Sequence, residues 1–169
     1  IVRSMLQHSD NQAAELLLLM LARKPALGAA NALERVQIWL RERGIRPESL
    51  SIRNGSGLYD GSAGSGLAVT HLLTYLYNRR DIGPEFLAAL AVPGKPGTLE
   101  KRLRNTPKGS VRAKTGTLNE VSSLCGYVLG KEHRRAFCVL ASQLRSGNLG
   151  AARELQDSIA TALLKPSDP

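Results

Sequence analysis

Aromatic side chains make up only 4% of this 169-residue chain, and it has just two cysteines, Cys125 and Cys138. So few aromatics leave no row of stacking platforms for single-stranded nucleic acid. Two cysteines exclude a disulfide framework and a multi-cysteine metal cluster. The longest purely apolar run, Leu16-Leu17-Leu18-Leu19-Met20-Leu21-Ala22, falls far short of the ~20 residues a membrane-spanning helix requires. Acids are scarce as well, 14 Asp and Glu against 23 Lys and Arg, for a net charge of +9. That imbalance suits acidic partners: nucleic acid, anionic membrane surface or an acidic polymer. No zinc-finger spacing, RNP-like run or continuous basic helix accompanies it, which disfavours nucleic acid. Also missing are a Gly-x-Ser-x-Gly elbow, a dinucleotide fingerprint, a P-loop and a His-Glu-x-x-His helix. No cofactor or metal is implied. His8, His71 and His133 stand far apart in sequence and suggest no shared site.

What is present fits a globular core, with hydrophobic residues at 43% and charged residues at 22%, outside the disordered range. The length is that of about one domain, and no repeat or linker divides residues 1–169. Residues 12–23 read as an apolar-rich helix ending before Pro25, with Ser9-x-x-Gln12 as a capping box. Residues 31–43 place Leu33, Val36, Trp39 and Leu40 at helical spacing, with Gly44 as a stop. Residues 50–53 alternate like a short strand and run into the Asn54-Gly55-Ser56-Gly57 turn; residues 61–66 read as a loop. Helices are predicted over 67–80 and 84–92, the second opening on Pro84, then a short basic helix or loop over 98–106. Strands follow at 110–118, 122–129 and 134–142, and a final amphipathic helix at 149–164. Helices first and strands late argue an α+β fold with an antiparallel sheet flanked by helices. A four-residue loop over 130–133 pairs Leu129 with Arg134 and sets Cys125 opposite Cys138; two small buried thiols side by side is the favoured reading, a bridge the other.

Two short motifs carry chemistry: Ser9-Asp10-Asn11 and Lys114-Thr115-Gly116. They match the second and third elements of penicillin-interacting serine enzymes, whose first is a Ser-x-x-Lys. Singly, the first reads as a helix cap and the second as an exposed strand end. Their surroundings lift them above that. Met5-Leu6-Gln7-His8 before Ser9, Asn54-Gly55-Ser56-Gly57-Leu58, Gly97-Thr98-Leu99 with Arg102, Val111-Arg112-Ala113 before Lys114, Thr117-Leu118 after Gly116 and Leu124-Cys125-Gly126-Tyr127-Val128 occur in one order. In that order, from Met5 to about Ser142, the chain resembles the class C low-molecular-mass penicillin-binding proteins, the D-alanyl-D-alanine carboxypeptidase/endopeptidase family. It departs from them after Gly57-Leu58, where Tyr59-Asp60 and a glycine-rich loop replace the family's Ser-Arg.

The resemblance implies a β-lactamase/transpeptidase-like fold and an acyl-enzyme mechanism on peptidoglycan stem peptides ending in D-Ala-D-Ala, inhibited by β-lactams, in the periplasm or another extracytoplasmic space. By it, Ser9 relays a proton, Asn11 holds a substrate carbonyl and the catalytic lysine, and Lys114 supplies positive potential. Thr115 bonds the substrate's terminal carboxylate, Gly116 leaves room for a chain along the strand, and the Thr117 N–H completes an oxyanion hole. Asp10 is expected to turn away and support the helix N-terminus. No serine in the 169 residues has a lysine three places on; Thr98-Leu99-Glu100-Lys101 is the nearest imitation. With a first residue of Ile1 and no leader pattern, the chain therefore reads as the C-terminal portion of a longer enzyme, inactive alone, whose first strands and nucleophile come from the N-terminal portion of the same protein. Homo-oligomerisation stays open. A non-catalytic peptidoglycan-binding or interaction module that kept the substrate groove is the alternative.

Overall fold

The computed structural model describes residues 1–46, 48–58 and 61–166; Tyr59 and Asp60, where the sequence departs from the family it resembles, lie outside the described residues. The strongest sequence signal, the three late strands, folds as expected. β3 (Val111–Leu118), β4 (Val121–Leu129) and β5 (Arg134–Ala141) form an antiparallel sheet in the order β3-β4-β5. Leu129 pairs with Arg134 and Cys125 with Cys138, so the four-residue loop sets the register. The favoured reading of two free thiols is corrected: Cys125 and Cys138 are joined by a disulfide, because directly opposed positions bring the two sulfurs together on one face.

Side chains alternate across a strand, so the register sorts the sheet into two faces. Val111 and Ala113 on β3, Leu124 and Val128 on β4 and Phe137 on β5 face α6 (Leu149–Ala162), whose Ala160 joins them in one buried cluster with Leu99 and Leu103. The opposite face carries Lys114, Cys125 and Cys138 in one row. It is covered by α4 (Gly66–Asn78), α5 (Gly83–Ala89) and the short α1 (Val2–His8). There Tyr127 is 2% exposed, packs with Leu73, Leu90, Leu6 and Phe86, and donates its hydroxyl to the Leu73 carbonyl at 2.7 Å. The α+β architecture with a helix-flanked antiparallel sheet therefore stands.

Away from the sheet the boundaries differ from expectation. The first predicted helix, over 12–23, is α2 (Asn11–Leu19), and it is preceded by the unanticipated α1, with Ser9 between them. The capping box is replaced by Asp10, whose carboxylate accepts from the Ala13 N–H at 3.0 Å. α2 stops well before residue 23, since the Arg23 N–H goes to the Asn31 side chain at 3.0 Å instead of continuing the helical ladder. α3 starts earlier than expected, at Gly28–Arg41. Residues 50–53 contribute only β1 (Leu50–Ser51), paired with β2 (Ala63–Gly64) inside the stretch read as loop. Of the two readings of residues 98–106, a short helix or a loop, the loop stands: they form turns.

Leu124, with no exposed surface, anchors the cluster between the sheet and α6. Leu124→Ala is expected to lower the unfolding free energy by about 3 kcal/mol. Leu155→Ala, on the outer side of α6 at 59% exposure, is expected to change it by less than about 0.5 kcal/mol. Urea denaturation of both variants checks the assignment of inner and outer faces.

Candidate active site

The site grows from one residue in an uncommon conformation. Ser9 joins α1 to α2 with φ 60 and ψ 50, a left-handed geometry few non-glycine residues adopt. Such strain persists where the surroundings over-determine it, and here they hold the end of α1. The Thr98 N–H donates to the Gln7 carbonyl at 2.9 Å. Gly97, with φ +138, lies so close to that carbonyl that a Cβ would sit 2.8 Å from the oxygen. This is the structural work of the Gly97-Thr98-Leu99 motif. With Asp10 capping α2, the Ser9 hydroxyl is released for other bonding.

It accepts a hydrogen bond from Lys114 Nζ at 2.6 Å. Lys114 stands on β3, 105 positions along the chain, and its second bond goes to the Thr115 carbonyl at 2.6 Å. No carboxylate among the described residues lies within ion-pairing distance of the ammonium, and burial pushes its pKa below the usual lysine value. Desolvation disfavours the charged form. The Ser9 oxygen takes a hydrogen bond from Lys114 and keeps its own hydrogen to donate. That arrangement can pass a proton between the lysine and a third group.

Asn11, the first residue of α2, lines the same cleft of about 470 Å³, with Ser9, Asn54, Gly55, Ser56 and Lys114 around it. Glu15, one turn along α2, was not anticipated from the sequence. Its carboxylate accepts from the Gly55 N–H at 3.0 Å, the Ser56 N–H at 2.9 Å and the Ser56 hydroxyl at 2.6 Å, and these bonds lower its pKa, the Ser56 hydroxyl most. It pins the Asn54-Gly55-Ser56-Gly57 turn to the helix that carries Asn11; a Cβ on Gly55 would meet the Ala14 carbonyl at 2.5 Å. A lone acid between Asn11 and the leucine run was the available signal.

Thr115, Gly116 and Thr117 do not line that cleft; they continue β3 beside it. β3 is an edge strand. The Ala113 N–H donates outward to the Ala91 carbonyl at 3.1 Å, and alternation along the strand turns the backbone groups of Thr115 and Thr117 outward too. No strand of the described residues covers them. At Gly116 a Cβ would strike the hydroxyl of Ser123, its partner on β4, so the missing side chain makes room within the sheet. The arrangement thus offers a proton-relaying Lys–Ser pair, an amide-bearing helix start and an open edge able to take an extended chain.

A sequence model of the D-Ala-D-Ala carboxypeptidase 3 (S13) family matches residues 1–164. Among curated proteins, a D-alanyl-D-alanine carboxypeptidase of Actinomadura sp. (strain R39) is 33% identical over 168 residues, spanning 94% of this chain and 30% of that protein. Among solved structures, penicillin binding protein 4 (dacB) from Haemophilus influenzae, complexed with a β-lactam, superposes with a TM-score of 0.83 at 23% identity. It covers 98% of this chain and 41% of its own. The penicillin G-acylated Bd3459 predatory endopeptidase from Bdellovibrio bacteriovorus, in complex with the immunity protein Bd3460, gives 0.78 at 20% identity, covering 97% and 44%. These structural likenesses show the fold. The chain thus spans under half the length of each of these three relatives.

Two measurements probe the site. A lysine whose folded-state pKa is lowered binds its proton less well folded than unfolded, so stability rises with pH from the lowered value up to the ordinary 10.5. Lys114→Met is expected to be at least as stable as the parent at neutral pH and to lose this alkaline gain, read as the difference between the two denaturation profiles. Glu15→Ala is expected to cost about 1–2 kcal/mol near pH 7, allowing for its partial exposure. Because the carboxylate pKa is lowered, that contribution is present above the ordinary 4.5 and fades below it; equal losses at pH 3 and pH 7 would argue against the clamp.

The match over nearly the whole chain, with the ordered motifs and their convergence in space, establishes that this chain belongs to the D-Ala-D-Ala carboxypeptidase 3 (S13) family.

Proposed function

We propose that this chain is the substrate-holding part of a serine-type D-alanyl-D-alanine carboxypeptidase/endopeptidase that acts on peptidoglycan stem peptides through an acyl-enzyme and is blocked by β-lactams. The observation that carries the reading is the 2.6 Å hydrogen bond between Lys114 and Ser9, set beside an open strand edge. A stem peptide would lie along β3, its backbone answering the outward groups of Thr115 and Thr117, with Gly116 between them. The Thr117 N–H would face the oxygen that gains charge as the scissile carbonyl is attacked. Thr115 would bond the terminal carboxylate. Asn11 would hold a substrate carbonyl and the lysine paired with the nucleophile. Ser9 would hand a proton to the leaving D-alanine nitrogen as the acyl bond forms, and Lys114 would favour the anionic end of the peptide.

The nucleophile is not among the 169 residues, and a second portion of the same protein would supply it. Two surfaces support that partner. Leu16 and Met20 on and after α2 are 62% and 78% exposed and line an apolar groove with Ile1, and the outer edge of β5 pairs with no strand among the described residues. All 169 residues would then belong to one penicillin-binding domain. An oxidising, extracytoplasmic compartment is supported by the Cys125–Cys138 bridge. The second reading, a non-catalytic peptidoglycan-binding module, rests on the missing Ser-x-x-Lys.

Labelled penicillin separates the readings. The isolated chain is expected to stay unlabelled, while the product of a reading frame extended upstream through a Ser-x-x-Lys is expected to be acylated and to lose most labelling on Lys114→Ala. Labelling of the isolated chain would falsify the division of labour; an upstream frame without Ser-x-x-Lys would favour the binding module.

A further inference from the structure

Apart from Lys114, the densest run of positive charge in the chain has no part in the reading above. Lys101, Arg102, Arg104, Lys108, Arg112 and Lys114 follow one another with no Asp or Glu between Glu100 and Glu120. The turn over residues 101–106 sorts its cations by direction. Leu103, with φ 54, is buried in the cluster beneath α6, and its carbonyl accepts from the Thr106 N–H at 3.0 Å and the Thr106 hydroxyl at 2.6 Å. Arg102 turns in towards α6 and forks onto the Asp157 carboxylate, from Nη2 to Oδ1 at 2.7 Å and from Nε to Oδ2 at 3.3 Å. It also donates to Gln156 Oε1 at 3.1 Å and to the Arg153 carbonyl at 3.2 Å, so the turn is fastened to the helix. Lys101 and Arg104, on either side, are exposed.

A depression of about 540 Å³ lies between this turn and the second half of α6, and Lys165, just past the helix, lines it with Lys101 and Arg104. Asp157 is the one acid among its lining residues, and Arg102 bonds both of its oxygens. Among the described residues Lys101, Arg104 and Lys165 form no ion pair. Three cations thus share one open space, where their mutual repulsion is relieved by an anion. They stand on long, exposed side chains, so a single small anion gains little from any one of them. A chain of repeated anions engages several at once and releases its condensed counterions. Asn105 and Ser158 add neutral donors to the lining, which suits phosphate groups with their several acceptor oxygens. Among the described residues no aromatic side chain lines the depression, so it offers no platform for stacked bases. The Cys125–Cys138 bridge favours an oxidising compartment, where a cell-surface polymer is the polyanion at hand.

We propose that the depression between the 101–106 turn and α6 binds a base-free phosphodiester polymer of the cell surface and so tethers the chain to an anionic layer. The depression shares no residue with the cleft around Ser9 and Lys114, and α6 packs on the sheet face opposite Lys114. The proposal therefore goes beyond the peptidase reading and stands without it.

The test titrates the 169-residue chain with end-labelled poly(glycerol phosphate), poly-L-glutamate and oligothymidylate of equal charge number, read by fluorescence anisotropy. The parent chain is expected to bind poly(glycerol phosphate) most tightly, with an affinity that falls as salt is raised. In single-stranded phosphate chains each neutralised phosphate contributes about 0.7 to the slope of log affinity against log salt, so Lys101→Gln, Arg104→Gln and Lys165→Gln together are expected to lower that slope by about 2 and the low-salt affinity about ten-fold. Arg35→Gln, Arg41→Gln and Arg46→Gln remove the same charge from exposed positions on and after α3; screening of distant charges keeps their combined effect to less than about two-fold. Thermal melting verifies that both triple variants keep the fold. Equal losses in the two variants would reduce the attraction to net charge and overturn the site, as would a parent chain that binds none of the polymers. Tighter binding of poly-L-glutamate or of oligothymidylate overturns the phosphodiester partner. Penicillin labelling of the upstream-extended product reports on the peptidase reading separately and is expected to be unchanged by the three substitutions in the depression.

Discussion

One hydrogen bond organises the functional half of this chain: a lysine ammonium on the edge of a sheet donating to a serine hydroxyl at the junction of two helices. Neither partner reaches the other by local structure. The serine must be lifted out of helical geometry, and the strand must bring its lysine to the face opposite α6. Much of the surrounding architecture serves those demands. Leu6 on α1 packs in the cluster around Tyr127, Thr98 and Gly97 clamp the last turn of α1, and Asp10 takes over the cap so that the serine is not consumed by it. Burying an ammonium beside a hydroxyl and a carbonyl, with no carboxylate of the described residues in ion-pairing distance, costs stability. The same desolvation brings the lysine closer to the proton-exchanging range, in keeping with the proposed proton relay through Ser9.

The second constraint is the open edge. Unpaired strand edges invite pairing with other chains, and proteins usually cover or shorten them. Here Ala91 bridges β3 at Ala113, and among the described residues no strand covers Thr115 to Thr117. The cover ends where α5 gives way to the turn after Ala91, which ties the length of the open edge to the packing of α5 and α4 on the sheet. The opposite edge, along β5, pairs with no strand among the described residues, and Leu16 and Met20 on the flank of α2 are exposed. The chain's basic character shows away from these edges, where Lys101, Arg104 and Lys165 meet beside α6.

Several features were readable in the residues. The hairpin loop fixed Leu129 against Arg134 and thereby Cys125 against Cys138, because strand pairing has a period of two and a four-residue loop leaves one register. The order of the motifs pointed to the family, and Asp10 was assigned to the helix start. Other features were hidden for identifiable reasons. A seven-residue α1 has no room for a convincing apolar period, so Ser9 looked like the cap of one helix when it joins two. β1 and β2 contribute two residues each, below any pattern. Glu15 sits inside a leucine-rich helix, and its partners, Gly55 and Ser56, lie forty positions on. Whether two opposed cysteines bond depends on how the two strands approach, and composition is silent about that.

The sequence by itself determined the chemistry available and the family: which residues carry hydroxyl, amide and ammonium groups, in what order, and which strands pair in which register. These follow from local spacing and from residue types that have few substitutes in their roles. Only the tertiary structure decided which of those groups meet. Ser9 and Lys114 touch because a sheet face, three helices and a glycine-bearing turn converge there, and Lys101, Arg104 and Lys165 gather because Arg102 fastens their turn to α6. Such contacts join residues tens of positions apart through packing, and no local pattern in the chain records them.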